Sequence, residues 1–273
     1  MKITRRALLM QGAAGITAGI ILPSALSFLL KNAADAQDLQ EINLEDQDWG
    51  DQYYAFIVDT TKCIGCGKCV MACKLENHVP MEPGCFRTWV ERYVITDQGE
   101  AFVDSPDGGI NGFSGVPENV KYQNVPIAKS FFVPKLCNQC DNPPCVQVCP
   151  VAATYKTPEG VILVDQARCI GCRYCIQACP FGARYLVPQG SPVSPQGYTK
   201  VADKCTWCYH RITKGKLPAC VEVCPAGARI FGDLRDPESH VRKVLEGARV
   251  FTLKSSLGTR PKVKYIGLDV AVR

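Results

Sequence analysis

Sixteen of the seventeen cysteines in this chain stand in four groups of four, at spacings that suit thiolate ligation of metal. Group one is Cys63, Cys66, Cys69 and Cys73, and group two is Cys137, Cys140, Cys145 and Cys149. Group three is Cys169, Cys172, Cys175 and Cys179, and group four is Cys205, Cys208, Cys220 and Cys224. Groups two, three and four each end in Cys-Pro. A C-x-x-C-x-x-C run places three thiolates on one tight loop, and a cubane takes its fourth from elsewhere. Sixteen such cysteines are the ligand set for four [4Fe–4S] clusters, whose chemistry is one-electron transfer. A zinc ribbon uses two C-x-x-C knuckles per ion and leaves the third cysteine of groups one and three surplus. A disulfide framework belongs to shorter chains than one of 273 residues. A third class, a metal module that only scaffolds partners, is separated from an electron carrier by metal analysis.

Where two clusters lie side by side, the last cysteine of each run ligates the other cluster. Groups two and three are close in sequence, from Cys149 to Cys169, and form a natural pair. One cluster is then expected on Cys137, Cys140, Cys145 and Cys179, and its neighbour on Cys169, Cys172, Cys175 and Cys149. Groups one and four are left to pair around that unit. This gives Cys63, Cys66, Cys69 and Cys224 for a third cluster, and Cys205, Cys208, Cys220 and Cys73 for a fourth. The wider gaps, 140 to 145 and 208 to 220, are loop insertions, which cost little.

Other chemistry is sparse. Cys85 stands outside the four groups and reads as a buried free thiol. Of His78, His210 and His240, only His210 adjoins a cluster motif, and a hydrogen-bonding or solvent role is the default. Trp207 and Tyr209 flank Cys208 and are expected to shield a cluster from water. There is no nucleophile–base pair, no phosphate-binding glycine loop and no dinucleotide fingerprint, so no catalytic residue is expected.

The elements that must position these thiolates repeat. Residues 56–73 (FIVDTTKCIGCGKCVMAC) and 162–179 (ILVDQARCIGCRYCIQAC) align without a gap and share nine of eighteen positions. Residues 145–150 and 220–225 share five of six. Such self-similarity reports duplicated structural units. Phe56–Val58 and Val161–Val164 read as short strands feeding the ligand turns. The three residues before each fourth cysteine fit one helical turn, which proline then ends. Gly65 and Gly171 are expected to let the backbone approach an inorganic core. The fold class expected is α+β: two fused, interleaved bacterial ferredoxin-like units of βαβ type with loop insertions. The inner unit covers about 131–188, the outer about 53–80 plus 200–235, within a domain of 37–235. Residues 85–130 form an insertion, with a strand over Trp89–Ile95 and a surface loop over Ser105–Glu118. The C-terminal extension, 236–273, is expected to start a helix at Asp236-Pro237 and end it at Gly247, with an extended tail from Val250. Nineteen prolines, twenty-three glycines and a thin supply of large aliphatics point to clusters as structural staples.

The first 36 residues read as a leader. Arg5-Arg6 precedes a mostly apolar, glycine-containing run from Ala13 to Leu30, and Ala34-Asp35-Ala36 offers a cleavage pattern. This is similar to a twin-arginine export signal, a route that carries proteins already folded. The alternative is an uncleaved membrane anchor, since the run is nearly long enough to cross a bilayer. Export gives a periplasmic expectation. The formal charge is +5, of which the leader carries +3, so nothing suggests a nucleic-acid surface. Beyond residue 36 no apolar run is long enough to span a membrane.

The order of the four groups resembles the four-cluster ferredoxin-type subunits of molybdopterin oxidoreductases such as dimethyl sulfoxide, polysulfide and tetrathionate reductases. The resemblance rests on KCIGCGKCVMACKLEN in the leading group and on the widened fourth group, KCTWCYHRITKGKLPACVEVCPAGARIFGD, and covers about residues 50–270. It implies an electron-transfer subunit, itself non-catalytic. Such a subunit lies between a quinol-interacting integral membrane subunit and a molybdopterin catalytic subunit, with no small-molecule substrate of its own. The alternative is the equivalent wire of a periplasm-facing hydrogenase or formate dehydrogenase. Nitrate-reductase relatives replace one cluster cysteine with tryptophan. Here all sixteen are cysteine, which implies four [4Fe–4S] clusters.

Overall fold

The computed structural model describes residues 52–113, 122, 125–191 and 198–272. The leader reading falls on residues 1–36 and lies outside them. Short strands and helices alternate: β1 (Tyr54–Asp59), α1 (Lys68–Glu76), β2 (Thr88–Thr96), β3 (Ala101–Asp104), β4 (Ile127–Leu136), α2 (Pro144–Gln147), β5 (Thr154–Lys156) and β6 (Ile162–Val164). They continue with α3 (Tyr174–Gln177), β7 (Arg184–Leu186), β8 (Ala202–Lys204), α4 (Tyr209–Ile212), α5 (Ala219–Glu222) and β9 (Arg229–Asp233). The C-terminal part adds α6 (His240–Gly247), β10 (Val250–Phe251) and β11 (Val263–Ile266). This is a mixed helix-and-strand fold, as expected.

Antiparallel strand pairs link each cysteine group to the next. β2 pairs with β4 between groups one and two, β5 with β6 between two and three, and β7 with β8 between three and four. β9, leaving group four, pairs with β1, which leads into group one. The circuit of groups therefore closes on itself. The stretch expected as an insertion supplies one of these pairs, and β3 is added to its outer edge. Pro134 is tolerated within β4 because that strand is the other edge of its sheet.

β1 is buried on both faces, which explains its unbroken apolar sequence. Tyr54, Phe56 and Val58 face a core that also contains Trp207, Phe231, Tyr265 and the cysteines Cys69, Cys137, Cys205 and Cys220. Ala55 and Ile57 face the other way, against Val241 and Leu245 of α6. The C-terminal extension is thus built into the sheet. β11 lies parallel to β1 (Phe56 opposite Val263), and α6 covers the reverse face.

Two local expectations are corrected. The last helix starts at His240 with Ser239 as its cap residue; Asp236 instead accepts a bond from the Glu238 amide at 2.9 Å in a turn before it. Proline at 237 fits that turn as well as a first helical position. The segment after Ser105 is not all surface loop, because Gly108 and Gly109 are buried in a 3₁₀ turn. The Cβ directions of Gly65 and Gly171 point at protein: a methyl would meet the Phe132 ring at 2.6 Å and the Lys200 carbonyl at 2.3 Å. Both glycines have positive φ, which other residues rarely adopt.

Candidate iron–sulfur centres

The ligand loops share one local design. A residue with positive φ opens each short helix after a C-x-x-C turn: Gly67 before α1, Arg173 before α3 and Cys208 before α4. α2 and α5 instead begin after Pro143 and Pro218. In α1, α2, α3 and α5 about one helical turn carries the chain to the fourth cysteine.

The thiols gather across groups. Cys63, Cys66, Cys69 and Cys224 line one pocket with Val90, Pro134 and Arg229. Burial pushes the Cys63 thiol up to about 11, and the Cys69 and Cys224 thiols beside it add to the rise. Cys73 is buried, and its thiol is driven well up by burial and by Cys205, Cys220 and Cys208 around it. The amide nitrogen of Asn77 lies 3.6 Å from both the Cys73 and the Cys208 sulfurs and serves the two together. Burial pushes Cys140 up to about 12, with Cys137, Cys145 and Cys179 as its thiol neighbours. Cys175 is raised by burial and lies by Cys169 and Cys145. Cys149 behaves differently: burial raises it, but amide bonds from Thr154, Val151 and Ala153 outweigh that and leave the thiol low.

Two further neighbourhoods join these sets. Cys220, pushed up to about 12 by burial, lies by Cys69 as well as Cys208. Cys205, also raised by burial, lies by Cys137 as well as Cys220. Of the sixteen cysteines, Cys66 and Cys172 are exposed and the others are buried or half-buried. Apolar residues stand out beside those two, with Ile64 62% exposed near Cys66 and Ile170 and Tyr174 65% and 62% exposed near Cys172.

The donor set fits four clusters. Among the described residues no three Cys, His, Asp or Glu side chains converge on one point, as a single tetrahedral ion would require. A cubane spreads its thiolates over separate corner irons. Backbone amides already face ligand sulfurs at 3.4 Å: Thr154 to Cys149, Ala202 to Cys169 and Trp207 to Cys205. Buried donors are also left over, because Nη2 of Arg184, Nη1 of Arg229 and Nε1 of Trp207 have no hydrogen-bond partner. Donors buried without acceptors are rare, and the two arginines lie beside cysteine thiols where an anionic cluster would accept.

Sequence reasoning missed the buried cations. Arg184 lies by Cys145, Cys175 and Cys137, and Arg229 by Cys69, Cys220 and Cys63. The signal was present as a repeated Cys-Pro-x-Gly-Ala-Arg at 179–184 and 224–229. It also missed Arg87, which forms a buried two-pronged pair with Asp203, 2.8 Å on each prong, and bonds Asn77 at 3.0 Å. The residues it set aside stay aside. Cys85 packs in a small cluster with Val79, Tyr185, Val187 and Val201, and His210 pairs with Glu76 at 2.7 Å on the surface. Trp207 is buried against Phe56 and Phe231, at ring distances of 6.2 and 5.5 Å.

Two family models match, each described as a 4Fe-4S dicluster domain, over residues 62–153 and 128–234. Two such domains give four clusters. A tetrathionate reductase subunit of Salmonella typhimurium is 41% identical over 220 residues, covering 80% of this chain and 74% of that protein. A putative dimethyl sulfoxide reductase iron-sulfur subunit of Halobacterium salinarum is 41% identical over 80% of each chain. A polysulfide reductase chain of Wolinella succinogenes is 38% identical, over 77% of this chain and 92% of its own.

Proposed function

The chain is a member of the iron–sulfur subunit family of the molybdopterin oxidoreductases, and from that premise we propose that it relays electrons within an exported respiratory complex. Its role is to pass electrons between a quinol- or quinone-interacting membrane subunit and a molybdopterin catalytic subunit, with no chemistry of its own on the terminal substrate. Each cluster, when bound, takes up and releases one electron. The chain's residues do the rest: they hold the clusters, exclude water and set their electrostatic surroundings.

The observation that carries the ligand assignment is the company each fourth cysteine keeps. Site one takes Cys63, Cys66, Cys69 and Cys224, in keeping with their common pocket. Site four takes Cys205, Cys208, Cys220 and Cys73, in keeping with the donor that Cys73 and Cys208 share. Site two takes Cys137, Cys140, Cys145 and Cys179, the neighbours that surround Cys140. Site three takes Cys169, Cys172, Cys175 and, by the same reciprocity, Cys149. Groups two and three then make an inner ferredoxin-like unit, nested inside an outer one made by groups one and four. The closeness of Cys69 to Cys220, of Cys205 to Cys137 and of Cys145 to Cys175 supports the order one, four, two, three. The ends of that order carry the two exposed cysteines, each beside exposed apolar side chains suited to a partner surface. A twin-arginine leader would export the chain after cluster insertion, which places the complex on the periplasmic face of the membrane. Among the described residues no helix is long and apolar enough to cross a membrane.

Anaerobic purification of the native complex tests this reading. About sixteen iron and sixteen acid-labile sulfide per chain are expected, with a copurifying large subunit that contains molybdenum or tungsten. Zinc without a reducible visible chromophore would refute the electron-carrier role, and a nickel-containing large subunit would refute the choice of complex.

A further inference from the structure

The Cys-Pro that closes groups three and four is followed by the same local construction. Arg184 and Arg229 each lie five residues beyond the fourth cysteine, at the first position of β7 and of β9. Both are deeply buried, 5% and 3% exposed. Each gives one guanidinium nitrogen to a threonine hydroxyl: Arg184 to Thr154 at 3.3 Å, and Arg229 to Thr88 at 2.8 Å. Those threonines begin β5 and β2, the strands that leave groups two and one. The arrangement therefore occurs twice, once for each pair of groups. In each copy another terminal nitrogen, Nη2 of Arg184 or Nη1 of Arg229, is buried without a hydrogen-bond partner.

Charge separates these two from the other buried arginines, Arg87 and Arg92, the latter paired with Asp104. Arg87 is matched by Asp203, whereas neither Arg184 nor Arg229 forms an ion pair among the described residues. A guanidinium does not escape burial by losing its proton. A buried charge without a counter-charge is costly enough that proteins avoid it. The groups that surround these arginines are ligand thiols, and in each case they come from two different sites. Around Arg184 stand Cys137 and Cys145 of site two and Cys175 of site three. Around Arg229 stand Cys63 and Cys69 of site one and Cys220 of site four.

We propose that Arg184 and Arg229 are potential-setting residues, each a fixed positive charge shared by the two cluster sites of one pair: sites two and three for Arg184, sites one and four for Arg229. The proposal rests on the ligand sets given above. A fixed cation favours the more negative, reduced state of any redox group beside it. Shared between two sites, it raises both potentials together and leaves the difference between them largely unchanged.

Redox titration of the intact complex, followed by low-temperature EPR, tests this with Met and Lys variants of each arginine. Arg229→Met is expected to lower sites one and four together, each at least tenfold in its reduction equilibrium, which is 59 mV for one electron. Sites two and three should stay in place, and Arg184→Met should give the mirror result. The Lys variants keep the charge and should hold all four potentials within that tenfold. Unshifted potentials in a Met variant with full iron, or a shift at only one site of the pair, would overturn the proposal. If a Met variant loses iron, its Lys counterpart decides. Full iron with both potentials held supports a charge requirement, and iron loss there too assigns the arginine to packing alone. Wild-type iron far below about sixteen would instead refute the four-cluster reading itself.

Discussion

Replacing Cys73 by serine distinguishes a cysteine's place in the sequence from its place in space. Cys73 closes group one and lies in the same helix as Cys69. Its sulfur, however, shares the Asn77 donor with Cys208, and its thiol surroundings are Cys205, Cys220 and Cys208. Serine is a poor ligand to iron, so the variant should lose or degrade the cluster of site four. Loss of one whole cubane takes about sixteen iron per chain to about twelve; loss of one corner iron leaves about fifteen. The site-one signal should survive, because Cys63, Cys66, Cys69 and Cys224 are untouched. Site four lies by Cys69 on one side and Cys137 on the other. Its loss should therefore halt electron flow through the complex while most of the iron remains. The assay is iron and sulfide analysis with low-temperature EPR on anaerobically purified complex, beside turnover with quinol. Loss of the site-one signal with site four intact would refute the cross-group ligation and the wire order built on it.

Arg87→Met should destabilise the fold by about 3–5 kcal/mol, because it leaves the Asp203 carboxylate buried without its cation; urea unfolding monitored by tryptophan fluorescence would measure this, and a change under 1 kcal/mol would show the pair to be dispensable. Gly67→Ala should combine about 1–2 kcal/mol of backbone strain with a methyl driven to 2.3 Å from the Gly109 carbonyl, whereas Gly84→Ala, also at positive φ but in open space, should show the strain alone. Comparing iron retention and unfolding midpoints of those two variants checks the packing against the group-one loop. Stripping the iron with chelator and oxidant should abolish cooperative unfolding, since Cys69, Cys137, Cys205 and Cys220 lie within the main core; a metal-free chain with native near-ultraviolet circular dichroism would contradict that.

Parts of the fold and site were legible because their determinants are local. The runs at Phe56–Val58, Trp89–Ile95 and Val161–Val164 lie in β1, β2 and around β6, where period-two or continuous apolar sequence reports burial directly. Cys85 read as a buried thiol from its isolation and is 3% exposed. Other features misled for reasons that are also local. Asp236-Pro237 satisfies both a turn and a helix start, and nothing nearby chooses between them. Gly108 and Gly109 look like loop residues because glycine is used both in open turns and where a side chain packs onto the main chain, here Phe86 on Gly108 and Phe113 on Gly109. The buried arginines escaped notice because charged residues are mostly exposed, and only the repeated Cys-Pro-x-Gly-Ala-Arg marked them.

By itself, then, the sequence determined the cofactor type and the number of clusters, and it proposed sixteen ligands from the spacing of three cysteines within each loop. Tertiary structure decided which cysteine groups touch and where the buried charges lie. β1 meets β11 across two hundred residues of chain, Arg229 meets Thr88, and Asn77 joins Cys73 to Cys208. Contacts at such separations leave no periodicity in the sequence. They arise when short strands with little burial of their own close into a ring, which brings Cys224 beside Cys63, Cys66 and Cys69, and Cys73 beside Cys205, Cys208 and Cys220.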